Sequence, residues 1–201
     1  MRLVRRVVLM DMNEMFARMV VAALWVFWLL VWVLSARHVK RALWREPLQS
    51  QIRHRAPILL AAFLFAAGRM LPAPLTTRCL PHSPWIAAFG TAMVAAGLGL
   101  AVWARMYLGP NWSAIVTLKD DHSLVRSGPY RWVRHPIYSG ILLGWGGTAV
   151  VIGEWRGVLG FGLACAALVY KSRVEERRLR QAFPEYDAYR RETAALVPFV
   201  F

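Results

Sequence analysis

The apolar positions fall into five runs separated by polar, mostly basic connectors. The first extends from about Phe16 to Ser35, with VVAALWVFWLLVWVLS at its heart, close to the roughly 20 residues a helix needs to cross hydrocarbon. Trp25, Trp28 and Trp32 recur along it at helical spacing, which predicts packing or lipid contact and not a cofactor box. The second run begins at Pro57 and reaches Leu75; Pro72 and Pro74 end it, and Arg69 is expected to reach outward near that end. The third covers Trp85 to Met106, where Gly90, Gly97 and Gly99 predict close helix packing, within the bundle or against a second copy. The fourth covers Ile137 to Gly153. The fifth, Val158 to Tyr170, is short by itself and is completed by starting near Trp155 and continuing through Lys171. The predicted fold is all-α, a polytopic membrane bundle of about five transmembrane helices. The chain divides into residues 1–107, holding helices one to three, and 108–201, holding the rest and a polar C-terminal helix.

Composition agrees with that pattern. The 201 residues are 58% hydrophobic with ten tryptophans, far from a soluble domain of this length. The formal charge of +14 is spread among the connectors, where it sets membrane orientation, so nucleic acid is not expected as a partner. The basic connector from Arg37 to Arg55 reads as a cytoplasmic loop against anionic membrane lipids. Lys and Arg are frequent in the first, third and C-terminal polar regions, which puts the N-terminus outside and the C-terminus inside; the cluster Arg2, Arg5 and Arg6 pulls the other way. Asp11, Asn13 and Glu14 interrupt the apolar stretch a cleaved signal requires, so the N-terminus is expected to be retained. Cys79 and Cys165 show no paired spacing, and neither a disulfide framework nor a metal site is indicated.

Two polar stretches carry candidate chemistry. His122 to Tyr138 reads HSLVRSGPYRWVRHPIY and is too polar to cross a bilayer. Gly128-Pro129 forces a turn after Leu124-Val125, and Pro136 suits the first turn of the next helix, where its missing N–H is no loss. Arg134 and His135 therefore stand at the mouth of a membrane helix, at its positive dipole end. The second stretch continues the last span as LVYKSRVEERRLRQAF. Lys171 and Glu175 are four apart and share one face, as Arg173 and Arg177 share another.

Together RSGPYRWVRHPIYSG and the later EERRLRQAFPEYDAY resemble the isoprenylcysteine carboxyl methyltransferase family, and the related phospholipid methyltransferases share the RHP-x-Y and EE elements. LGPNWS and DHSLV upstream are typical of the prenylcysteine branch, and the match covers about half of the chain, from Leu108 onward. The resemblance implies an enzyme of a prokaryotic cytoplasmic membrane. It would bind S-adenosyl-L-methionine in a cytoplasmic pocket of loops and C-terminal helix, and methylate a lipid-borne or prenylated acceptor reached from the bilayer. Position by position, His122, Ser123, Leu124 and Val125 match the first cofactor strand, Gly128 and Tyr130 the turn and its aromatic contact, and His135, Pro136, Ile137 and Tyr138 the second cofactor segment. Glu175 matches the acid that holds the cofactor. Lys171 falls where the family usually has an arginine facing the acceptor carboxylate, and it offers a point charge and not a planar fork. Arg134 and Arg173 are alternative cations for that task.

A carboxylate acceptor is already ionised at neutral pH, so its methylation needs alignment and exclusion of water and not a strong base. An amine of a phospholipid or a small thiol would use the same cofactor half. A transporter-like bundle or a scaffold fits less well, because the polar residues gather in loops and not at mid-membrane.

Overall fold

The computed structural model describes residues 12–35, 42–45, 47–109, 117–119 and 124–198. Among them, five long helices alternate in direction. Helix α1 (Met12–Ser35) starts at the end where α5 (Pro136–Ile152) finishes, since the Arg18 guanidinium donates to the carbonyl of Ile152 at 3.2 Å. It finishes where α4 (Pro84–Leu108) finishes, because buried Arg105 donates to the carbonyls of Gly109 at 2.7 Å and Ser35 at 2.8 Å. A cation at two helix C-termini answers carbonyls that have no partner within their own helices. Helix α2 (Leu48–Ala66) runs beside α6 (Trp155–Ala182), and the hydroxyls of Ser50 and Tyr170 lie 3.5 Å apart. Two short helices complete the set, α3 (Ala73–Thr76) and α7 (Tyr186–Glu192).

By length and composition α1, α4 and α6 can each cross a membrane, and α5 is a shorter apolar helix. Helix α2 is not among them. It starts nine residues before the predicted run, at Leu48, and its first half carries Ser50, Gln51, Arg53, His54 and Arg55. Pro57, where the predicted apolar run begins, lies inside it. Arg69 falls in a 3-10 turn, Gly68–Met70, just past the end of α2. A two-stranded antiparallel ribbon was not expected: β1 (Ala42–Arg45) pairs with β2 (Thr117–Lys119), Arg45 opposite Thr117.

The centre of the bundle is the α4–α5 contact. A Cβ on Gly97 would stand 2.5 Å from the carbonyl oxygen of Gly140, and one on Gly147 equally close to that of Gly90. Backbone therefore touches backbone, the packing that small residues allow where hydrocarbon surrounds the helices. The α1 tryptophans pack, as the spacing predicts: Trp28 stacks on Trp32 with centroids 4.5 Å apart, and Trp25 donates to Thr148 Oγ1 at 3.0 Å.

At the end where α5 finishes, charge closes the bundle. Glu14, 2% exposed, accepts from both terminal nitrogens of Arg78 at 3.2 and 3.3 Å, and His82 Nδ1 lies 2.8 Å from it. Glu154 accepts from Arg156 at 2.6 Å and from Arg18 at 3.4 Å. Arg156 also donates to the carbonyls of Leu64 and Phe65 at the end of α2.

Candidate active site at the opposite end

The other end of the bundle is built on the RHP turn. Gly128 has φ of +58°, and a Cβ there would come within 2.6 Å of the Tyr107 ring, so glycine serves both the turn and the close approach. The 3-10 turn Gly128–Arg131 then buries Pro129 and Tyr130. Tyr130 packs with Ala104, Ile137, Val125 and Tyr138, and its carbonyl accepts from the Tyr189 hydroxyl of α7 at 2.6 Å. Burial above all pushes the Tyr189 phenol up to about 12, which keeps it a donor at neutral pH.

Pro136 occupies the first turn of α5, as its missing N–H favours, and His135 caps the helix from φ −125°, ψ 57°. The C-terminal segment runs alongside this turn. Backbone N–H groups of Arg134 and His135 donate to the carbonyls of Ala194 and Ala195 at 2.9 and 3.0 Å, and Ser139 Oγ donates to that of Leu196.

His135, 7% exposed, stands between two carboxylates of the polar extension of α6. Its Nδ1 is 3.5 Å from Glu175 Oε2 and its Nε2 is 3.3 Å from Glu176 Oε1. Burial works against the imidazolium, but hydrogen bonds and charge from both glutamates outweigh it and raise the His135 pKa above its ordinary value. The ring stacks on Tyr138 at 5.4 Å with planes 3° apart. Tyr138 donates its hydroxyl to Glu175 Oε1 at 2.5 Å, and Lys171 Nζ lies 5.2 Å from the centre of the Tyr138 ring. Arg134 donates to Glu176 at 2.7 Å and to the carbonyls of Arg190 and Thr193.

Of the sequence-predicted residues, the fold brings together Lys171, Glu175, Arg134, His135 and Tyr138, with Pro136 and Ile137 buried beneath them. Arg173 is exposed on another face of α6. Leu124 and Val125 are half-buried in irregular backbone. His122 and Ser123 lie outside the described residues, as do Asn111, Trp112 and Ser113. Sequence reasoning passed over Glu176. The Glu-Glu pair was its signal, because adjacent helical residues are about 100° apart and can flank one side chain inserted from a loop.

Chemically, two carboxylates, a phenol and a lysine around a buried histidine form a polar recess at the end of an apolar bundle. Carboxylates suit a cationic ligand, and the lysine suits an anionic one beside it.

The comparisons point the same way. Residues 88–181 match the isoprenylcysteine carboxyl methyltransferase (ICMT) family. The cobalt-zinc-cadmium resistance protein CzcN of Cupriavidus metallidurans is 30% identical over 149 residues, 73% of this chain and 64% of that protein. The protein-S-isoprenylcysteine O-methyltransferase of Xenopus laevis is 33% identical over 126 residues, 60% of this chain and 43% of that protein. The chain thus spans less than two thirds of the length of these relatives. The solved structure of the eukaryotic intramembrane Ras methyltransferase ICMT shares the fold with a TM-score of 0.50 and 21% identity, over 75% of this chain and 51% of that one. The chain belongs to the isoprenylcysteine carboxyl methyltransferase family.

Proposed function

We propose that this protein transfers the methyl group of S-adenosylmethionine to the carboxylate of a prenylcysteine-like lipid acceptor. The reaction takes place at the cytoplasmic end of a five-span bundle in a prokaryotic cytoplasmic membrane, where residues 108–201 supply the chemistry and 1–107 the membrane frame. The observation that carries this reading is His135 held between Glu175 and Glu176 beside Tyr138 and Lys171, at the mouth of an apolar bundle.

The donor set fits the cofactor. Glu175, one fifth exposed, is the carboxylate open to a ligand's positive charge, whereas Glu176 is engaged by Arg134 and His135. Bound S-adenosylmethionine would supply an electrophilic methyl group on a sulfonium. Glu175 and Tyr138 would hold its charged amino-acid part, and residues 122–125 with Tyr130 would hold the adenosyl part, as the family resemblance implies. Arg134, with both its Glu176 and carbonyl contacts made, braces the RHP turn. Lys171 orients the acceptor carboxylate by charge. The reacting oxygen is already anionic, so the rate comes from alignment and from the exclusion of water.

Labelled methyl transfer from S-adenosylmethionine to a farnesylated cysteine analogue tests the proposal. The parent is expected to methylate it and Glu175→Ala is not; a parent that binds no S-adenosylmethionine overturns the proposal. Lysine in place of the family's usual arginine favours a second reading in which the acceptor is an amine or a small thiol. Methylation of such acceptors, with the farnesylated one ignored, would select it.

A further inference from the structure

The two faces of α4 are built differently. Gly90 and Gly97 press against α5, whereas a Cβ on Gly99 would meet nothing within 4 Å. Around Gly99 the exposed residues Ala92, Ala95 and Ala96 leave a shallow furrow along the outward flank of the helix. Trp85 and Phe89 stand exposed at one end of the furrow, and Trp103 and Tyr107 at the other. At about 1.5 Å per residue, Trp85 and Trp103 are about 27 Å apart along the axis. That spacing matches a hydrocarbon core of about 30 Å bounded by interfacial aromatic rings. The flank therefore faces lipid, and its Trp103 end lies at the level of the headgroups.

At that end a cation caps the furrow. The Trp103 ring lies 6.0 Å from that of Tyr107 and 6.1 Å from that of Trp132, which is exposed in the RHP turn. Arg131, also exposed, holds its guanidinium carbon 4.2 Å from the centre of the Trp132 ring. Among the described residues no carboxylate pairs with Arg131, and a guanidinium held by a ring keeps N–H donors for an anion. The patch is also fixed in place. The Tyr107 ring packs against Gly128, and the Trp132 carbonyl accepts from the Ala194 N–H at 3.2 Å.

We propose that this flank binds an anionic phospholipid, its phosphate on Arg131 and one acyl chain in the furrow below Trp103. The planar guanidinium suits two phosphate oxygens at once, and the tryptophans suit the glycerol region between headgroup and chain. Small residues also suit a second copy of the chain. A symmetric pair sharing this stripe in one membrane, however, brings two Arg131 cations to the same level, whereas the lipid brings the opposite charge.

Labelled phosphatidylglycerol, titrated into the purified chain in detergent with unlabelled phosphatidylglycerol or phosphatidylcholine as competitor, tests the proposal. Binding is expected to saturate at about one lipid per chain, with phosphatidylglycerol displacing the label at least about fivefold more readily than phosphatidylcholine. Arg131→Gln should weaken binding about fivefold. Gly99→Leu, which fills the furrow at a position that touches nothing in the bundle, should weaken it as well. Arg177→Gln removes the same charge from an exposed position on α6 and should leave the affinity unchanged. Equal loss in Arg177→Gln would reduce the effect to net charge and overturn the proposal. Unsaturable binding, equal displacement by both lipids, or parent-like affinity in Arg131→Gln or Gly99→Leu would overturn it too. A parent that sediments as a dimer, splits on Gly99→Leu and retains no lipid would assign the stripe to a second copy instead.

Discussion

The two ends of the bundle are both charged, and they are charged differently. At the end where α5 finishes, Glu14 and Glu154 are each held by arginine, and those arginines also reach backbone carbonyls at helix and loop ends. Arg78, Arg18 and Arg156 each tie together separate helices or loops there, and, apart from His82 beside Glu14, the cations are arginines, whose charge does not change with pH. At the RHP end the carboxylates surround a histidine, and a phenol and a lysine stand beside them. Those groups titrate or can exchange a protein partner for a ligand. The first arrangement is a clasp. The second has the character of a site, because its charge can be redistributed when something binds.

The comparison breaks most visibly at Glu175. Glu175→Ala is expected to lower methyl transfer at least about a hundredfold while leaving the folded bundle intact, since it removes a charge from the site and none from the clasp. At the other end, Arg156→Ala leaves two carbonyls without their donor and Glu154 with only the longer Arg18 contact, a change worth up to about 3–5 kcal/mol of stability for a buried pair. Thermal unfolding in detergent should show that loss, with cofactor affinity of the folded fraction unchanged.

A smaller effect separates the ends by pH. The folded-state pKa of His135 is raised, so its contribution is complete below the ordinary value of 6.5 and is lost as pH rises through the raised value. Stability measured from pH 6 upward should decline through that range in the parent. In His135→Gln the decline should be flatter. Smallest of all, exposed Arg173→Ala should change methyl transfer less than about twofold, as surface substitutions usually do.

How much of this was legible in sequence depended on the range over which each feature acts. Pro136 as a helix opener, the α6 start at Trp155 and the meaning of Gly97 follow from local rules, and the structure has them where the pattern put them. The two-part site was legible because Lys171 and Glu175 share a helical face and the RHP turn opens directly into α5. Glu176 escaped because a pair of adjacent glutamates does not by itself tell that both meet a histidine some forty residues earlier. The clasp escaped for the same reason. Glu14 and Arg78 are 64 positions apart, Arg18 and Glu154 are 136, and ion pairs of that separation leave no periodic trace. Helix α2 starts before the apolar run because its first turns are polar and carry no hydrophobic signal, and Pro57, where the run begins, is tolerated inside a helix packed against α6.

The central claim is that the RHP end, and not the clasp, holds the cofactor. Equilibrium binding of labelled S-adenosylmethionine to purified parent, Glu175→Gln and Glu154→Gln tests it most directly. The account predicts saturable binding by the parent and by Glu154→Gln, and binding weakened at least about tenfold in Glu175→Gln. Parent-like affinity in Glu175→Gln, or loss of binding confined to Glu154→Gln, would contradict it.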